Sequence, residues 1–380
     1  MLARDEGVTW EEGPSLEPSG VSTPARVASA GAQTWALALD LLEVTPTKHR
    51  SVAHSPTSMS LALGLSYKRW REQPMCSASI LGAMHAVESG DELHQTMGAS
   101  VAELEARALP AAEDEDPVLL SLRSSIWQLG SGGASDSLYG ATLHNVSGPL
   151  EGINAVMNCV IEEQSSGLLV DFIPADLPAA DTTSFDVNVA FLQAPWGEAL
   201  QDRGSQPFQT EQGPIDQAMM GRSYLSSEYF EDSELEAVIL PLRGGALSIM
   251  LVMPRAQAFA SLAEFTGALT RERLESARDG AQWGLASLTM PKFTIDSTTI
   301  DYYKPLGFMC ELYTLRTVLH GAAVELDERG IKAAAATVNE NWGSSAPDID
   351  FTVTFDRPFL FFVFDETTGF VLYSGRYAGP

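Results

Sequence analysis

Residues 327–351 read DERGIKAAAATVNENWGSSAPDIDF. Four consecutive alanines, Ala333, Ala334, Ala335 and Ala336, are followed by Thr337 and then by small and polar residues, with no hydrophobic face. Alanine is the best helix former, so propensity alone reads a short exposed helical turn running into a surface loop. Alanine is also small enough to lie in a crowded sheet without clashes, and Gly330 frees the backbone where the stretch begins. Asn339, Gly343, Ser344, Ser345 and Pro347 favour irregular, accessible backbone. Such a segment suits a surface loop in one state and a strand in another. It stands directly before the most apolar run of the chain, IDFTVTFDRPFLFFVFDETTGFVLYSGRY (residues 349–377). That run reads as three strands with a turn at Asp365–Gly369.

Working back from there, strand texture extends to about Asp186. FDVNVAFLQAPW (185–196), LEAVILPLRGGALSIMLVMP (235–254) and LASLTMPKFTI (285–295) are rich in β-branched and large apolar residues. Arg243–Gly245 lies between two apolar runs, a hairpin signal. The first half reads as helix. TWALALDLLEV begins an apolar face at Thr34, and a second helix runs from Ser55 to Tyr67, with Ser55 as N-cap and Pro56 in its first turn. Ala108–Pro117 reads as a charged connector and Gly130–Ser137 as a loop. Helices early and strands late predict an α+β fold, not alternating βαβ units. Residues 1–28, acidic and rich in Pro, Gly and Ser, are expected to be disordered.

Composition narrows the function. The 380 residues carry 50 acidic and 23 basic side chains, a formal charge of −27. Such a surface repels phosphate backbones and anionic lipid, which argues against nucleic-acid, membrane-surface and heparin-like partners. No run of 18 apolar residues is present. The N-terminus lacks a basic segment followed by an apolar core, so it does not read as a secretory signal, and the compartment is undetermined. Cys76, Cys159 and Cys310 show neither zinc spacing nor a disulfide framework and read as buried small apolar groups. One pair is free to bridge, but nothing in the spacing argues for it. The six histidines suit no common metal site, and no metal or cofactor is expected. Nucleophile-elbow, phosphate-loop, dinucleotide and zinc-protease motifs are missing from the sequence, so nothing positive supports an enzyme.

The neighbourhood of the alanine run adds a further reading. ELDERGIKAAAAT followed by DRPFLFFVFDETTGFVLYSGRY resembles the reactive-loop hinge and C-terminal signature of the serpins. The resemblance gives hinge roles to Glu328, Gly330, Ile331, Ala333 to Ala336 and Thr337. It matches Pro358 and Phe359 to the downstream Pro-Phe pair, and Tyr373-Ser374-Gly375-Arg376 to the family's ending. HSPTSMSLAL is similar to the Ser-Pro-x-Ser helix, which implies Ser55 and Ser58 in the shutter beneath the main sheet. Ile153–Ile173 resembles the Ile-Asn segment, with Met157 and Ser165 replacing the usual Trp and Thr. VNVAFLQAPW looks like the family's strand carrying Asn188 in the shutter and Trp196 in the breach, and His320 lies at the spacing of a shutter histidine. The chain departs from the pattern at Ser66–Met84, around Leu122–Leu143, and at Ile331 and Lys332, where Thr and Glu are usual.

The resemblance implies three β-sheets, eight or nine helices and an exposed reactive-centre loop at about 328–350, within a single domain of residues 29–380. It implies a secreted monomer that traps a target serine protease as a covalent complex when the cut loop inserts into the main sheet. Family spacing places the scissile bond at Ser344–Ser345, with Trp342–Gly343 as the alternative. Small residues at the first bond suit elastase- or subtilisin-like enzymes, and a deep apolar, chymotrypsin-like pocket would prefer Trp342–Gly343; trypsin-like enzymes are not expected, since no Lys or Arg lies between Ala333 and Asp356. The alternative function is a non-inhibitory binding or chaperone-like protein of the same fold, favoured by the bulk of Ile331.

Overall fold

A computed structural model describes residues 8–12, 20–46, 48, 50–112, 115–129, 138–256, 258–296, 299–310, 315, 317–331 and 348–380. The chain begins with strand β1 (Thr9–Glu12), helix α1 (Pro24–Val44), β2 (Val52–His54), α2 (Pro56–Trp70), α3 (Pro74–Ala83) and α4 (Gly90–Glu105). There follow β3 (Leu119–Leu129), β4 (Thr142–Ser147), α5 (Leu150–Gln164), β5 (Ser184–Pro195), β6 (Gln201–Thr210), β7 (Gly213–Glu231), β8 (Leu235–Pro241) and β9 (Leu247–Pro254). Next come α6 (Leu262–Ala268), α7 (Arg271–Asp279), β10 (Gln282–Pro291), β11 (Phe293–Ile295), β12 (Ile300–Asp301), β13 (Leu319–His320), β14 (Val324–Asp327) and β15 (Gly330–Ile331). The last strands are β16 (Phe351–Thr354), β17 (Phe359–Asp365) and β18 (Val371–Tyr377). Seven helices stand among the described residues, against the eight or nine expected.

Local chemistry explains where the helices start. Ser55 caps α2, its Oγ accepting the Ser58 N–H, and Pro56 occupies the first turn as the sequence predicts. Helix α1 begins ten residues before Thr34, capped by Thr23 with Pro24 in its first turn. Its early turns are small because they approach another backbone closely. A Cβ on Gly31 would sit 2.0 Å from the Thr368 carbonyl oxygen in the turn between β17 and β18. The expected disorder of residues 1–28 is therefore corrected on two counts. α1 starts inside that range, and β1 pairs antiparallel with β4 from Thr9↔Ser147 to Glu12↔His144. Four residues with two carboxylates carry little apolar signal; the order of β1 comes from a partner strand more than 130 residues away.

The strands form three sheets. Seven strands run in the order β1-β4-β3-β5-β15-β14-β11. Nine form a second assembly, β16-β10-β7-β8-β9-β17-β18-β2 with β6 on β7, and β12 pairs β13. Successive side chains of a strand face opposite ways, and β5 shows it. Val187 and Val189 pack with Ile153, Met157 and Ile161 of α5, while Leu192 and Ala194 join the core that holds Leu61, Leu63 and Leu65 of α2. A third cluster packs α1, α6 and α7 on the far side of β8, β9 and β17. The β8–β9 hairpin forms where predicted, with Gly244 and Gly245 at positive φ. Arg376 ties β18 to the end of α1, its guanidinium donating to the carbonyls of Leu42, Thr45 and Pro46.

The reading of the cysteines is corrected. Cys76 of α3 and Cys310 form a disulfide across 234 residues, and Cys159 is exposed on α5. Spacing carries no signal for such a pair, because only the fold brings α3 beside the segment after β12.

Candidate functional site

Among the described residues, those that the sequence singles out gather in two groups along β5. At one end of β5, Trp196 donates its indole N–H to the Asp327 carbonyl at 2.8 Å, and its backbone N–H to Arg329 at 2.8 Å. Glu328 accepts at its carbonyl from the Leu200 N–H and pairs through its carboxylate with Lys292, which also holds Asp202. This knot fixes the point from which the next residues depart.

Those residues are β15, inserted between β5 and β14. Gly330 faces Pro195 and Asp327, and Ile331 faces Ala194 and Leu326, antiparallel on both sides. Gly330 has φ +147°, and a Cβ there would lie 2.3 Å from the Ala194 carbonyl oxygen. Glycine is required by both the dihedral and the crowding. Ile331 is 3% exposed within the core. Its bulk, read as an obstacle, is accommodated between Ala194 and Leu326. The remaining loop positions, Lys332, Ala333 to Ala336, Thr337, Trp342, Gly343, Ser344 and Ser345, lie outside the described residues.

Further along β5 the second group forms one hydrogen-bonded chain. His320 Nε2 accepts the Ser55 N–H at 2.9 Å, Ser58 Oγ donates to the Asn188 carbonyl at 3.0 Å, and Asn188 Nδ2 donates to Ser124 Oγ at 2.8 Å. An imidazole that accepts at Nε2 is neutral with its proton on Nδ1. Burial accordingly pushes His320 down to about 4. His54 stacks on it with ring centroids 6.0 Å apart and is held well below its ordinary value by burial, then by His320 and Arg376. The structure thus brings Ser55, Ser58, Asn188 and His320 together, and sets Trp196 with Glu328 and Gly330 at the end of the same strand.

Between these groups the edge of β5 is unusual. Among the described residues, β15 lies between β5 and β14 for two residues. Beyond it, the carbonyls of Asn188 and Ala190 accept from the hydroxyls of Ser58 and Tyr373, side chains standing where a neighbouring strand would offer amides. A cavity of about 420 Å³ opens between residues 184–188 of β5 and residues 317–321, floored by α2. Sequence reasoning missed the sheet-edge role of Tyr373 and the roles of Lys292, Ser66, Arg69 and Asp186. Their roles depend on partners far away in the chain, and no local pattern announces them.

Comparison with known proteins gives a consistent answer. The family model described as "Serpin (serine protease inhibitor)" matches residues 32–380. An uncharacterized serpin-like protein of Thermococcus kodakarensis is 24% identical over 242 residues, covering 58% of this chain and 55% of that protein. Human Serpin B3 is 25% identical over 247 residues, covering 59% and 63%. The match therefore spans less than two thirds of either relative's length. Among solved structures, the thermophilic serpin tengpin in its native state superposes with a TM-score of 0.78 at 17% identity, over 95% of this chain and 96% of tengpin. Thyroxine-binding globulin in complex with thyroxine gives 0.72 at 18%, over 93% and 99%. At those identities the likeness speaks for the fold alone. With the family model spanning nearly the whole chain and the α+β, three-sheet architecture alike, the chain belongs to the serpin family.

Proposed function

We propose that this serpin is a serine protease inhibitor that acts as a suicide substrate and is not itself an enzyme. A protease attacks the 332–347 segment as substrate. At the acyl-enzyme stage the cut segment enters the sheet between β5 and β14, carrying the tethered enzyme with it and distorting its active site. The observation that carries this reading is β15: two hinge residues are seated as a strand, and a cavity among the described residues continues their line. Small residues from Ala333 to Ala336 put no bulk in the way. The scissile bond is Ser344–Ser345, with Trp342–Gly343 as the competitor, and the target has a shallow or apolar primary pocket of elastase, subtilisin or chymotrypsin type. The inhibitor acts as a monomer without cofactor. The Cys76–Cys310 disulfide accords with an oxidising, extracellular setting.

A second reading, a non-inhibitory binding or chaperone-like member, draws on Ile331. The burial of Ile331 within the sheet weakens it, since the bulky hinge residue is already inserted. Incubation with a panel of serine proteases, followed by a denaturing gel, separates the two. The inhibitor reading expects a covalent complex and, by mass spectrometry, a released C-terminal peptide starting at Ser345 or Gly343. Cleavage without any complex across the panel supports the second reading.

A further inference from the structure

A second cavity, of about 280 Å³, lies at the end of β17 and β18 away from their connecting turn. It opens where β6 and β9 end, beside the start of α6, and shares no residue with the cavity along β5. Its wall is mainly apolar, with Phe259, Leu262, Pro254 and Pro358 supplying surface. The Phe259 ring is steadied by buried Phe265, their centroids 5.1 Å apart.

Four arginines, Arg50, Arg255, Arg357 and Arg376, border this cavity in a chain of formal charge −27. Two of them are matched by carboxylates. Arg255 pairs with Glu231 and Glu236, and Arg357 with Glu236 at 3.2 Å and Asp356 at 3.0 Å. The other two differ. The Arg50 side chain has no hydrogen bond or ion pair among the described residues. Arg376 is 7% exposed, and it donates to the carbonyls of Arg50, Leu42, Thr45 and Pro46, acceptors without net charge. Burial pushes Arg376 below the ordinary arginine range, and the nearby Glu211 carboxylate offsets only part of that. A buried cation is costly unless it is both hydrogen-bonded and paired, so an anion within reach stabilises it. Glu211 is exposed at the rim, where water and salt screen its charge.

We propose that this cavity binds a small amphipathic carboxylate, with its head group at Arg50 and Arg376 and its apolar body against Phe259 and Leu262. The planar guanidinium fork matches the two oxygens of a carboxylate. A volume at the small end of the roughly 300–1,000 Å³ usual for ligand sites favours an aromatic or short-chain acid over a long-chain lipid. The apolar wall and the Glu211 carboxylate disfavour a polyanion such as a nucleotide. The site goes beyond protease inhibition, and its occupancy does not depend on whether the loop enters the sheet.

The test titrates the intact protein with hydrocinnamate and with its neutral amide by isothermal titration calorimetry. The acid should bind at least about tenfold more tightly than the amide. Arg50→Gln, which removes a charge that makes no ion pair among the described residues, should abolish that preference. Ala263→Trp, placed on exposed surface of α6 that borders the cavity, should abolish binding of both. Equal affinity for acid and amide overturns the proposal, as does no binding of either. A preference that survives Arg50→Gln, or binding that survives Ala263→Trp, overturns it as well. The comparison of acid with amide needs no altered protein, so a misfolded variant does not blunt it.

Discussion

His320 shows how one residue couples the sheet to the helix beneath it. Its Nε2 takes the N–H of the residue that caps α2, so the imidazole must stay neutral for the helix to start where it does. Burial holds His320, His94 and His144 down to about 4, against an ordinary value of 6.5. In the unfolded chain these groups take up protons first. Their stability is therefore intact above pH 6.5 and falls as pH drops toward 4, by about 1.4 kcal/mol per pH unit for each histidine. His320→Gln, which retains an acceptor for Ser55, should reduce the slope of unfolding free energy against pH in that window by about one proton. Identical slopes would show that His320 titrates normally. If the segment after β15 inserts at the register of Gly330 and Ile331, Ala335 points into the sheet, where an unpaired charge costs several kcal/mol. Ala335→Arg should leave cleavage intact and abolish the covalent complex; trapping at unaltered stoichiometry contradicts the inward assignment. The Ser55 cap was legible from its Ser-Pro context. Asn188 and His320 were legible only through family resemblance, because a lone polar residue in an apolar run is usually an ordinary hydrogen-bonded core group. Arg69 and Asp186, 117 residues apart, offered no signal at all.

At the scale of elements, what could be read was whatever its own sequence determines. Runs bounded by turn residues gave the β8–β9 hairpin and the three closing strands β16 to β18 in their places. What could not be read was set by distant partners. β1 exists because β4 offers an edge, α1 extends back through small residues because Gly31 lies against the Thr368 backbone, and the disulfide exists because the fold brings α3 to Cys310. The disulfide closes a loop of 234 residues, and a link of that span restricts the unfolded chain strongly. Replacing both cysteines by serine should lower unfolding free energy by about 2–4 kcal/mol. Denaturant titration of wild type with and without reductant should show the same loss; a reductant-insensitive midpoint would show that α3 is not tethered.

At the scale of the whole molecule, the strand between β5 and β14 spans two positions among the described residues. β15 occupies the first two positions between β5 and β14, and the groove below has side-chain hydroxyls in place of strand partners. Completing a strand of about a dozen residues forms roughly as many backbone hydrogen bonds, each worth about 0.5–1.5 kcal/mol, or on the order of 10 kcal/mol in all. The measurement that tests this most directly is the melting temperature before and after a single cut within Asn341–Ala346. If the freed segment inserts, the cut form should melt higher, by on the order of 10 °C for a chain of this size. A cut form that melts at or below the intact protein would mean that the loop does not enter the sheet.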